Sequence, residues 1–247
     1  DVRAEVRALL GRLVALEAAF SRNLAEVTGG LDVAPADLAG LPASYVARLR
    51  PGEAPGSLRV ALTTPDVMPF LEQAARRDLR ERLEAAWFDR AHEANAPLLA
   101  EALELRRRAA ALLGYPTWAH YRLEEKMAGR PEPVEALYRS IIDPLRAKAV
   151  GELDVLAAEL RAAGEAPPVR SWDWRWCTTR RRSTAFAVDP DELRAHLPLD
   201  AVLAGLLDLT AGVFGLRYEP LAVVAWHPEV RGLRVSDAAS DEILGDI

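Results

Sequence analysis

Apolar residues recur at helical spacing from the start of the chain. Val2, Val6, Leu9, Leu13, Leu16, Phe20 and Leu24 fall three or four positions apart, which puts them on one face of an α-helix. The pattern returns over 64–90, over 95–113, and over 131–163 through Val134, Leu137, Ile141, Leu145, Val150, Leu153, Leu156 and Leu160. An amphipathic helix cannot bury its stripe alone, so such helices must stack on one another. The expected fold is mainly α, with about ten helices and a few short β-strands at the C-terminal end.

Punctuation sets the expected boundaries. Gly29-Gly30 stops the first helix, and Pro35 and Pro42 each sit where a short helix can start. Residues 50–57 hold two prolines and two glycines and read as a loop, followed by a short strand over 58–63. Thr64-Pro65 opens the next helix, Asn95 is placed as the cap of the one after, and Gly114 ends it. Pro116 starts a helix through Met127. Pro144 has no amide hydrogen and should kink or split the long helix over 131–163. Residues 164–168 read as a loop, and Asp189-Pro190-Asp191-Glu192 as a helix start. After Gly215 the texture changes, and 216–219, 221–226 and 233–235 read as strands. The domain expectation follows that change: residues 1–215 form a helical scaffold and residues 216–247 begin a small sheet.

Composition narrows the partners. Half of the 247 residues are hydrophobic, enough for a sizeable core, and the net charge of −6 provides no basic footprint for nucleic acid. The run Arg180-Arg181-Arg182 reads as a solvated face. Cys177 is the single cysteine, so no disulfide can form within the chain, and a reducing, cytoplasmic setting is expected. The first twenty residues are charged throughout and show no secretory signal. The most apolar window, 197–216, carries Asp200, Asp208 and Pro198 and reads as a buried helix, with no membrane partner expected. Both ends read as cut: a helical repeat is already running at Val2, and the chain stops at Ile247 inside a strand-like run. The expectation is therefore a piece of a longer polypeptide.

No complete chemical site is legible. The histidines are His92, His120, His196 and His227, and no two lie one helical turn apart, as a helical metal site requires. His92-Glu93 begins like a zinc-peptidase motif, but Ala96 occupies the position of the second histidine. Cys177 has no partner nearby in sequence and reads as a small buried thiol. The carboxylate pairs Glu124-Glu125 and Asp189/Asp191 suit surface or capping roles. Trp172, Trp174 and Trp176 could form a recognition surface, but more simply pin a loop against the helical core.

Several blocks resemble one family, in the same order. The stretch Asn95–Ala128, NAPLLAEALELRRRAAALLGYPTWAHYRLEEKMA, is similar to a family pattern of an Asn, a Leu-Arg pair, a Leu-Leu-Gly-Tyr stop and a helix ending Lys-Met-Ala. Arg80-Glu81, 85–90, 20–24 and 38–42 match before it; Trp172-Asp173, 197–199, Val202, Gly205-Leu206, 214–216, 226–230 and Leu244-Gly245 match at later points. The family is the thimet oligopeptidase, oligopeptidase A and dipeptidyl carboxypeptidase group of zinc metallopeptidases. The resemblance implies a two-lobed helical fold with a deep channel that admits short peptides. It implies zinc held by a His-Glu-Xaa-Xaa-His helix and a later Glu, with the motif's Glu as general base. None of those residues falls within this sequence, so no catalytic and no metal-binding residue is assigned here. By their place in the strand-rich end, Trp226 and His227 are the candidates for the channel wall. The family's Tyr-Tyr after Trp-Asp is Trp176-Cys177 here, and its Tyr before the next Asp is Phe186, so either this block has drifted or the channel wall differs here.

Three readings compete. In the first, the chain is the N-terminal and central part of a zinc-dependent oligopeptidase, inactive alone, whose partners are short peptides and the catalytic C-terminal half of the same polypeptide. In the second it is a non-catalytic helical module that binds peptides, and in the third a purely structural helical domain.

Overall fold

The structure is a computed structural model that describes residues 1–186 and 190–247; the Asp189 cap and the Asp189/Asp191 carboxylate pair lie outside what it describes. The chain divides into two compact units, residues 1–185 and 186–247. The change of texture at Gly215 lies inside the second.

The first unit opens with α1 (Val2–Ala25), capped by the Asp1 carboxylate, which accepts from the Arg3 amide. Its stripe buries Val6, Leu9 and Leu16. Leu9 and Leu16 pack on Leu105 and Ala109 of α5 (His92–Leu112), with Leu13, Leu98 and Trp118 at the margin. A bidentate Arg12–Glu101 pair crosses the same seam at 2.7 and 2.8 Å.

Between these helices lies a small sheet. Strands β1 (Gly30–Val33), β2 (Arg50–Pro51) and β3 (Leu58–Ala61) pair antiparallel in the order β1-β3-β2. The strand expected over 58–63 is β3, which ends at Ala61; β1 does not read as a strand, since it follows directly on the Gly29-Gly30 stop and is closed by Pro35. Leu31 and Val33 of β1 face inward with Val60 of β3. They meet Tyr45 of α2 (Ala43–Arg48), Val67, Phe70 and Leu71 of α3 (Thr64–Gln73), and Leu79 and Leu83 of α4 (Arg77–Asp89) in the main core.

Several boundaries differ from the sequence reading, among them the end of the helix expected from Pro116 through Met127, which closes at Leu123. The helix expected over 64–90 is two helices, because the chain breaks at Ala74 to reach Ala39, whose carbonyl accepts from the Ala75 amide at 2.9 Å. Asn95 does not cap α5. The helix begins a turn earlier, behind Ala91 in the left-handed region, and Asn95 is buried inside it. Its amide accepts from Asn23 at 2.8 Å and donates to the Phe20 carbonyl at 3.3 Å, tying α5 to α1. A short polar residue near a helix start reads as a cap, yet serves equally as a tertiary hydrogen-bonding group.

After α6 (Trp118–Leu123), which Thr117 caps, α7 runs unbroken over Pro131–Ala162. Pro144 does not split it: one missing amide is tolerated where the helix formers on both sides maintain the remaining ladder. α8 (Trp174–Phe186) returns against the end of α7, where Leu160, Trp176 and Cys177 form a third small cluster.

The second unit contains α9 (Pro190–Ala195), α10 (Leu199–Phe214) and strands β4 (Leu216–Leu221), β5 (Gly232–Asp237) and β6 (Ile243–Asp246), antiparallel in the order β4-β5-β6. Gly215 ends α10 with φ of +67°, the left-handed cap that glycine adopts without steric cost. The Tyr218 hydroxyl donates to Thr210 Oγ1 at 3.0 Å and holds β4 to α10. The strand expected over 221–226 stops at Leu221. β5 begins at Gly232, directly opposite Leu221, so later residues have no strand to pair with. α10 is the helix expected in the 197–216 window, but it carries no buried residue: Leu199, Val202, Leu206, Leu209 and Val213 are all exposed. Among the described residues no helix is long and apolar enough to cross a membrane.

Candidate functional site

The most constrained chemistry lies in the first unit, on α4 and the segment ahead of α8. Arg80 and Asp173 are both fully buried. Helical spacing places Arg77 and Arg80 on one face of α4, so both guanidiniums reach the same carboxylate. Arg77 donates to Asp173 Oδ1 at 3.0 Å and Oδ2 at 2.6 Å, and Arg80 to Oδ1 at 3.1 Å. The Arg170 amide donates to Oδ2 at 3.0 Å. Further guanidinium hydrogens go to backbone carbonyls: Ala166 and Pro168 from Arg77, and Ala74, Ala75 and Trp172 from Arg80. Burial alone would make these charges costly; the filled set of hydrogen bonds offsets much of that. Burial lowers the Arg80 pKa, opposed by its bond to Asp173, while that same carboxylate raises Arg77.

Trp176 and Cys177 complete the cluster. The Arg80 guanidinium sits 4.5 Å from the Trp176 ring centroid and Arg180 lies 5.1 Å from it. Burial pushes the Cys177 thiol up to about 11, with the Asp173 charge adding to the rise. That is the environment of an inert thiol, not of a nucleophile. Of the three tryptophans, Trp176 pins the segment to the helices, whereas Trp174 is largely exposed beneath Arg175. Trp172-Asp173 and Arg80-Glu81 were both visible as blocks, but no sequence signal joined residues 93 positions apart.

The histidines do not assemble. His92 opens α5. The His120 ring nitrogen Nδ1 is 2.8 Å from Thr117 Oγ1 and its Nε2 is 3.4 Å from Glu132. His227 accepts from the Glu229 amide at 3.3 Å and lies 3.9 Å from the Glu229 carboxylate. Among the described residues no group of three or more His, Cys, Asp or Glu side chains is placed to hold a metal ion. The donor set present therefore does not fit the zinc that the resemblance implies. Glu124 instead accepts from the Tyr115 hydroxyl, whose pKa this raises, and Glu125 joins no site.

Trp226 and His227 lie in the link between β4 and β5, their rings 5.8 Å apart. Trp226 is 89% exposed. Beside the link is a cleft of about 530 Å³ between α10 and residues 220–223 and 230–233, crossed at its rim by an Arg231–Asp200 pair of 2.8 Å. A Cβ at Gly232 would lie 2.9 Å from the Leu221 carbonyl oxygen and 2.4 Å from a Val223 methyl, so a larger residue there would force the link to shift. A larger cleft of about 660 Å³ runs between α1 and α5, lined by Leu13, Leu16, Phe20, Leu98 and Trp118.

These features define a helical scaffold with two small antiparallel sheets, an internal guanidinium–carboxylate clamp, and no assembled set of metal ligands among the described residues. The chain belongs to peptidase family M3, whose sequence model matches residues 70–247. It is 28% identical to oligopeptidase A of Haemophilus influenzae over 96% of this chain and 37% of the relative. It is 25% identical to a probable thimet oligopeptidase of Arabidopsis thaliana over 98% of this chain and 34% of that protein. Against dipeptidyl carboxypeptidase of Salmonella typhimurium the identity is 28%, covering 72% of this chain and 27% of the relative. The chain thus spans about a third of the length of the curated relatives it matches.

Proposed function

We propose that these residues form the scaffold and one channel wall of a zinc-dependent oligopeptidase that hydrolyses short peptides in the cytoplasm, and that they are inactive alone. The observation that carries this reading is membership of peptidase family M3 combined with coverage of about a third of the relatives. The zinc ligands then come from the part of the protein with no counterpart here. His120 has one carboxylate partner, Glu132, and His227 has one, Glu229, whereas a catalytic zinc needs three protein ligands converging on one point. Trp226 and His227 belong to the channel wall in this reading, where an exposed ring next to an imidazole offers an apolar face and a polar edge to a peptide.

The decisive experiment uses the 247-residue chain with added zinc and a quenched fluorescent peptide. The expected result is no metal-dependent cleavage and no stoichiometric zinc by equilibrium dialysis. One zinc bound per chain, or metal-dependent cleavage, would overturn the proposal. The second reading, a peptide-binding module without catalysis, draws on the same scattered histidines. It predicts saturable binding of the intact peptide to this chain, weakened by Trp226→Ala. In a full-length parent, Trp226→Ala is expected to raise KM more than it lowers kcat; an unchanged KM removes Trp226 from the wall.

A further inference from the structure

We draw no further inference here: the strongest candidate, the exposed apolar seam of α10 formed by Leu199, Val202, Leu206, Leu209 and Val213 at heptad spacing, carries none because nothing in the structure shows what covers it.

Discussion

Asp173 is fully buried and brings one negative charge to two guanidiniums, Arg80 buried and Arg77 partly exposed, and it accepts four hydrogen bonds from them and from the Arg170 amide. Asp173→Asn keeps the shape and removes the charge, stranding Arg80 in the interior. The expected cost is about 3–5 kcal/mol, the usual penalty for removing one partner of a buried pair, read as a fall in the urea midpoint. Asp246→Asn, at the exposed Arg234–Asp246 pair, is the control and should scarcely move it. An equal response from both variants would show that the clamp is not a specific source of stability. Cys177 gives a pH signature. Its folded pKa is raised to about 11 from an ordinary value of 9.0. The unfolded chain therefore loses this proton first as pH rises, and the thiol's contribution, complete below about 9, is lost as pH climbs to about 11. The melting temperature should fall more steeply across that window in the wild type than in Cys177→Ala. Parallel slopes would mean that the thiol titrates alike in both states.

Among the elements, two glycines separate propensity from necessity. Gly11 lies in the exposed interior of α1, with open space where a Cβ would stand. Gly11→Ala should stabilise the first unit by about 0.5–1 kcal/mol through the lower backbone entropy of the unfolded chain. Gly40 has φ of +88°, and a Cβ there would lie 2.4 Å from the Gln73 carbonyl oxygen. Gly40→Ala should destabilise by more than about 1 kcal/mol, since it also disturbs the turn that breaks α3 from α4. Both are read from thermal unfolding; a stabilising Gly40→Ala would show that the turn yields. Asn95 and Pro144 make the same distinction in the sequence. Asn95 reads as a cap but is a tertiary hydrogen-bonding group, because its partners on α1 lie more than 70 positions away, whereas Pro144 reads as a break but is absorbed by the local ladder of α7 itself.

Among the large apolar side chains that remain in solvent, two helices carry whole rows: Leu137, Leu145, Val150 and Leu153 on α7, and the α10 seam. A helix that is apolar around much of its circumference normally ends up covered. The isolated chain is therefore expected to associate as its concentration rises and to enhance the fluorescence of an apolar dye. A clean monomer by sedimentation at high concentration, with no dye response, would mean that these surfaces are tolerated in water.

The amino-acid order by itself determined the helical period, most of the stops at glycine and proline, the short strands after Gly215, and the family, because each rests on residues close together in the chain. Cys177 also reads as a small buried thiol, since no sequence partner that would make it a nucleophile lies nearby. Only the tertiary structure decided that Asp173 would meet Arg77 and Arg80 and that Asn95 would hold α1 to α5. It likewise decided that the strand at 216–221 would stop where its partner begins. Those outcomes depend on which distant groups can jointly satisfy buried charges and hydrogen bonds, a condition set by packing in three dimensions and invisible to local spacing.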